Sequence, residues 1–296
     1  GRGDADGTQP ASRRPLNVYG TDISSARRAC QEESVRLVVV VDNGSVRAET
    51  LACFDVWKAR EPDRFRVVRQ DVPFNFSRLV NEGVRQARGE LVVLLNDDVE
   101  VLTENWLEEM AGQAQRQRIG AVGAFLLYPN GTFQHVGLVL GVLGPANHAH
   151  RFADAGTLGY FGRLLVVSNY AAVTGACLMV KRNLFLAVGG FDEGLAIAYN
   201  DVDFCLRLLE KGCWNVVLPQ VRLHHYESIS RGSDEQGEKR LRLDREAEIL
   251  KKRWESWIRN DPYYSPHLTR DRIDSSIAVA PQTLPVNGRR IADGEA

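Results

Sequence analysis

No stretch of this sequence approaches the ~20 consecutive apolar residues that a bilayer span requires. Excess charge of one sign is also missing: 37 Lys and Arg stand against 38 Asp and Glu, a formal net charge of −1. No basic field gathers phosphates, so a nucleic-acid partner is not expected. Cysteine is sparse. The five residues, Cys30, Cys53, Cys177, Cys205 and Cys213, are odd in number, and none form a CxxC pair. That excludes a disulfide framework of paired cysteines and a CxxC zinc site, and it points to reduced thiols in a cytosolic protein. Residues 1–15, GRGDADGTQPASRRP, lack the apolar stretch of a signal peptide and read as a disordered segment. There is no internal repeat.

What is present is an alternation of short apolar runs and amphipathic segments. RLVVVV at 36–41 and FRVVR at 65–69 read as buried strands. Residues 77–88 have helical spacing, with Leu79, Val80, Val84 and Ala87 on one face and Gly89 as the stop. LVVLL at 91–95 is a further strand, followed by a helix from about Glu104 to Gln117. Strand, helix, strand, helix implies an α/β fold with mainly parallel strands flanked by helices. Beyond 119 the pattern turns to strand and loop. A short helix is expected at 183–187, a longer one at about 200–211, and a strand at 215–218 with His224 and His225 after it. The 234–257 region is highly charged, yet Leu243, Ala247, Leu250, Trp254 and Trp257 recur at spacings of four and three. That stripe marks an amphipathic helix, docked on the body or laid on a membrane surface.

Three polar groups interrupt this pattern. Asn96-Asp97-Asp98 closes the 91–95 strand. It is either an ordinary turn or a site for Mg²⁺ or Mn²⁺, which favour carboxylate oxygens completed by phosphate and water. Asn200-Asp201-Val202-Asp203 opens a helix. Asn200 or Asp201 is expected to cap it, and a carboxylate held at a helix start is also suited to catalysis. His224-His225 is the third. In an extended chain the two rings point to opposite sides, so at most one reaches the acids. In open parallel sheets, ligands bind outside the carboxyl ends of strands, where both Asp42 and the 96–98 cluster lie.

Five stretches occurring in order, VVVVDNGS, FNFSRLVNEGVRQARGELVVLLNDDVEV, AVTGACLMVKRNLFLAVGGFDE, YNDVDFCLRLLEKG and HHYESISRG, resemble the family 2 glycosyltransferases of the GT-A fold. The segment RWESWIRNDPYYSPHL is similar to an extension of bacterial members that build surface polysaccharides. The resemblance implies a nucleotide-diphospho-sugar transferase with a Rossmann-like mixed sheet and a C-terminal helical extension. Asp42 matches the carboxylate on the nucleotide base or ribose. Asn96 and Asp97 fall in the D-x-D position on the donor, and Asp98 is its metal-binding acid. Gly175 and Ala176 match a loop lining the donor-sugar pocket, Asp201 the catalytic base, and His225 a histidine that completes the metal site. The implied cofactor is Mg²⁺ or Mn²⁺. The implied partners are a nucleotide-diphospho-sugar donor and a saccharide or lipid-linked saccharide acceptor.

Two acids of the family pattern are replaced, by Asn96 and Asn200. The family's first strand has only PLNVYGTD as its counterpart, so it is degenerate at about 16–19 or missing. The resulting division is a disordered segment 1–15, a transferase domain 16–232, and a C-terminal helix and tail 233–296. The implied location is the cytoplasm, with peripheral contact at the inner face of the membrane left open for the C-terminal helix. Two functions fit. One is inverting, metal-dependent sugar transfer in surface-polysaccharide or glycan synthesis; the other is a catalytically impaired, transferase-like binding or assembly protein.

Overall fold

The computed structural model describes residues 37–226 and 237–279. The segment 1–15, the first strand expected at about 16–19 and the 227–232 part of the last motif lie outside the described residues.

The described residues begin with β1 (Val38–Asp42), α1 (Ala48–Arg60), β2 (Phe65–Arg69), α2 (Phe76–Gln86) and β3 (Leu91–Leu95). β1 and β2 pair in parallel, from Val38 against Phe65 to Asp42 against Arg69. They are short β-branched runs, which suit a pleated surface covered by helices. Helix α1 was not expected from the sequence. Its Phe54 and Trp57 close a small core with Val40 and Phe65. Helix α2 starts where the Asn75 side chain accepts the Arg78 N–H at 3.0 Å, an ordinary N-cap.

The main sheet follows. It comprises β3, β4 (Val99–Val101), β5 (Ile119–Leu127), β6 (Phe133–His135), β9 (Ser168–Tyr170), β10 (Cys177–Lys181) and β11 (Trp214–His225). Its main order is β3-β10-β5-β11-β4, with β6 on β5 and β9 on β11. A separate hairpin joins β7 (Leu138–Leu140) and β8 (Ala146–His148). The expectation of mainly parallel strands holds for β1–β2 and β5–β11. The other described strand pairings are antiparallel. Two of them come from β10, which returns between β3 and β5 and runs against both, and the rest from the short strands β4, β6, β8 and β9. The sheet is mixed.

All nine residues of β5 are buried, so it is covered on both faces. Val122, Ala124 and Leu126 meet α3 (Trp106–Ala114) through Trp106 and Met110. Ala121, Phe125 and Leu127 belong to the larger core on the other side. That core holds α5 (Asn200–Glu210) through Val202, Cys205, Leu206 and Leu209. The short α4 (Arg182–Ala187) follows β10. Helix α6 (Gly237–Arg259) sends Leu250 and Trp254 into the same core, with Trp257 packed against it. The charged C-terminal helix is therefore docked, and its apolar stripe is buried in the protein. No helix among the described residues is long and apolar enough to cross a membrane.

Candidate active site

Four backbone segments meet at one end of the sheet. The first is the tight turn 96–98 between β3 and β4. Asp98 Oδ1 lies 3.0 Å from His225 Nε2. His225 is inside β11, which runs further than the expected 215–218 and includes both histidines. Extended backbone sends the two rings apart as anticipated: His225 faces Asp98, and His224 faces Glu100 at 3.7 Å. Asp97 is half-buried in the same turn.

His225 has two further neighbours. Its Nδ1 lies 2.5 Å from Gln134 Oε1, and Asn96 Nδ2 lies 3.5 Å from its Nε2. Asp98 Oδ1 and His225 Nε2 thus stand side by side as an oxygen and a nitrogen. An oxygen and an imidazole nitrogen are suitable donors for Mn²⁺ or Mg²⁺. No group of three or more His, Cys, Asp or Glu that could hold a metal occurs among the described residues. A pair of protein donors fits a cation whose other positions are filled by phosphate and water, the usual arrangement for Mg²⁺.

The second segment is the loop 174–176 before β10. The Ala176 carbonyl accepts the Asn96 N–H at 2.9 Å. The Gly175 N–H donates to Asp201 Oδ2 at 3.0 Å. One loop thus touches both acidic groups that the sequence singled out. Asp201 Oδ1 also accepts the Val202 N–H at 2.8 Å. Burial pushes the Asp201 carboxyl above the ordinary aspartate range, and the backbone donors offset this only in part. A carboxylate that is raised yet half-open is suited to taking a proton.

Neither Asn200 nor Asp201 caps α5, contrary to expectation. The cap position is Tyr199, in the left-handed region at φ 60°, with no side-chain cap bond. Asn200 is buried and donates to the Ile197 carbonyl at 3.1 Å. Its amide ties down the loop ahead of the helix, a task that the acid usual at that position cannot perform.

Asp42 stands apart in the β1–β2 unit. Its Oδ1 accepts the Ser45 N–H at 2.9 Å, and its Oδ2 accepts Arg69 Nη1 at 2.6 Å. Burial alone would raise its carboxyl, but the Ser45 and Arg69 bonds outweigh it and hold the group below the usual range.

Sequence reasoning missed three neighbours. Gln134 orients His225, as above. Buried His135 accepts the Thr174 N–H on Nε2 at 3.4 Å, and its Nδ1 lies 2.9 Å from His148 Nδ1. Burial, then His148 and His225, keeps His135 well below the ordinary imidazole range, so it stays neutral. Their only signal is two polar stretches, Gln134-His135 and His148, flanking an apolar Gly-rich run.

Residues 23–162 match the family model described as Glycosyl transferase family 2. An uncharacterized protein of Sinorhizobium fredii (strain NBRC 101917 / NGR234), y4gI, is 47% identical over 264 residues, 89% of this chain and 29% of that protein. The O-antigen biosynthesis protein RfbC of Myxococcus xanthus is 38% identical over 248 residues, 83% of this chain and 19% of that protein. The chain thus spans less than a third of the length of these two relatives. Among solved structures, GalNAc-T7 with UDP, GalNAc and Mn²⁺ superposes with a TM-score of 0.59 at 14% identity, over 81% of this chain and 46% of that one. The mannosyltransferase PcManGT from Pyrobaculum calidifontis, in complex with GDP-Man and Mn²⁺, gives 0.52 at 18%, over 79% and 65%. At such identities the two structures establish a common fold.

Proposed function

That the chain belongs to glycosyl transferase family 2 and has the GT-A fold is the premise from which we propose its activity: transfer of a sugar from a nucleotide-diphospho-sugar donor to a hydroxyl acceptor, with inversion at the anomeric carbon. The observation that carries this is the 174–176 loop, which joins the Asp98–His225 pair to Asp201 through Asn96 and Gly175.

Asp201 is the general base. It takes the proton of the acceptor hydroxyl as that oxygen bonds to the anomeric carbon. The bond from that carbon to the diphosphate breaks on the opposite face, and the electron pair leaves with the diphosphate. General-base assistance of this kind contributes roughly 10²–10⁴ in rate. Asp98 and His225 would hold Mg²⁺ or Mn²⁺, which when bound offsets the charge of the leaving diphosphate. Asn96 and Asp97 border the donor, as do the backbone groups of Gly175 and Ala176. Asp42, at the end of β1, is the contact for the nucleoside. Mn²⁺ and nucleotide ligands in GalNAc-T7 and PcManGT support the choice of donor and cation. Likeness to the O-antigen biosynthesis protein RfbC supports a saccharide or lipid-linked saccharide acceptor in surface-polysaccharide synthesis.

The test is release of nucleoside diphosphate from UDP-N-acetylgalactosamine, GDP-mannose and related donors with Mn²⁺. Asp201→Asn is expected to retain donor binding and lose turnover by about 10²–10⁴. Equal turnover by the variant removes Asp201 from the mechanism. Absence of release from every donor, with and without saccharide acceptors, favours a binding or assembly role.

A further inference from the structure

Helix α6 reaches the loop that presents Asp201. Glu246, on its buried face, is 2% exposed. Its Oε1 accepts the Ala196 N–H at 3.0 Å, and its Oε2 accepts the Ala198 N–H at 2.6 Å. One side chain thus takes two backbone donors, one at each end of residues 196–198. A buried carboxylate without such donors would be costly, and buried amides without an acceptor would be too. Each satisfies the other.

The position of the loop matters. It ends at Tyr199, whose backbone is left-handed and whose side chain makes no cap bond, so the helix start relies on Asn200 within the loop and on contacts from other elements. Asp201 follows two residues on. The other side of the loop is fixed by α2: the Phe76 N–H donates to the Ala196 carbonyl at 2.8 Å, and Ser77 Oγ donates to the Leu195 carbonyl at 2.5 Å. The loop is therefore held between α2 and α6, and α6 supplies the charge.

We propose that Glu246 is a positioning residue for Asp201: its carboxylate fixes the 196–198 backbone and so sets the start of α5, from which Asp201 reaches the acceptor. This rests on Asp201 being the base. Glu246 touches neither donor nor acceptor. A loop freed from it would let the base drift, and a displacement of about 1 Å at a reacting group costs up to ~10²-fold. The cost falls on kcat, since the donor groups lie on β1, the 96–98 turn, β11 and the 174–176 loop.

The experiment compares Glu246→Gln, Glu246→Asp and Asp201→Asn with the parent chain. It uses Mn²⁺ and whichever of UDP-N-acetylgalactosamine or GDP-mannose is turned over. Glu246→Gln turns an amide NH₂ toward the backbone donors and is expected to lower kcat about 10-fold to 100-fold, with the donor KM within about 2-fold. Glu246→Asp keeps the charge on a shorter stem and is expected to recover part of kcat. Hydrogen exchange of a peptide covering 195–199 is expected to be faster in Glu246→Gln than in the parent chain, while β5 peptides are unchanged. A parent-like kcat in Glu246→Gln, beside an inactive Asp201→Asn, overturns the proposal. So does a parallel loss of donor affinity and kcat in both Glu246 variants, which marks a merely structural residue. A fully active Asp201→Asn overturns the assignment of the base instead.

Discussion

Replacing Asp203 by alanine tests how firmly α6 holds α5. Asp203 is completely buried in the first turn of α5. Its Oδ1 accepts Trp254 Nε1 at 2.8 Å and Arg253 Nη1 at 2.7 Å, and its Oδ2 accepts Arg207 Nε at 2.9 Å. Asp203→Ala leaves these donors in unequal positions. Arg253 is 40% exposed and keeps Asp192 at 2.7 Å, so it adds little. The indole N–H of the buried Trp254 loses its acceptor, and an unmet buried donor costs about 1–3 kcal/mol. Arg207 keeps the Val188 carbonyl but loses its carboxylate at 21% side-chain exposure. Breaking a buried charge pair by removing one partner costs about 3–5 kcal/mol, and the whole effect is expected in that range. Asp203→Asn retains an acceptor for Trp254 and is expected to lose about 2 kcal/mol. Urea unfolding followed by tryptophan fluorescence reads both values. A loss under about 1 kcal/mol for Asp203→Ala, with unchanged slope, would refute the buried clamp.

Asp98→Ala is expected to abolish the Mn²⁺-dependent part of UDP or GDP binding in calorimetry. An identical Mn²⁺ dependence in the variant would take Asp98 out of the metal site. Because burial raises the Asp201 carboxyl, the acid limb of the rate profile is expected above the ordinary aspartate value, since the base must be ionised to act. A limb at or below that value contradicts the environment described for Asp201. Asp42 has the opposite sign. Its folded carboxyl lies below the ordinary value, so it stabilises the fold above that value and the contribution fades as pH falls through the folded pKa. Asp42→Asn is expected to flatten that acid loss in urea titrations, and an unchanged pH dependence would count against the Ser45 and Arg69 contacts.

The strands were legible where one force dominated. FRVVR and LVVLL are β-branched or leucine-rich runs between turn residues, and both expected ranges match the observed strands. Helix α1 was not legible because its exposed Leu51 and Val56 blur the stripe formed by Phe54 and Trp57. β11 was read too short because Pro219 and Gln220 interrupt its apolar pattern, at the bulge between Leu218 and Arg222. Asp98 and Asp201 stood out through the ordered stretches that contain them, since carboxylates at strand ends and helix starts are by themselves ordinary. His135 and His148 were not, since nothing in an apolar Gly-rich stretch tells which polar residue is buried. Glu246 left a faint mark. It sits three residues after Leu243 and four before Leu250, on the stripe itself, but a glutamate within a run of charges reads as solvated.

The docking of α6 also has a bearing on synthesis. A chain emerging from the ribosome completes the Asp98 turn, the 174–176 loop and Asp201 before it has made Arg253, which lies 50 residues beyond Asp203. Until that helix arrives, the buried acid at the start of α5 has Arg207 of its own helix but neither Arg253 nor Trp254. Synthesis proceeds at about 5–20 residues per second, and domains generally fold as units. The 50 residues from Asp203 to Arg253 therefore take about 2.5–10 seconds to make, and for that time α5 lacks the contacts that α6 brings to its buried acid.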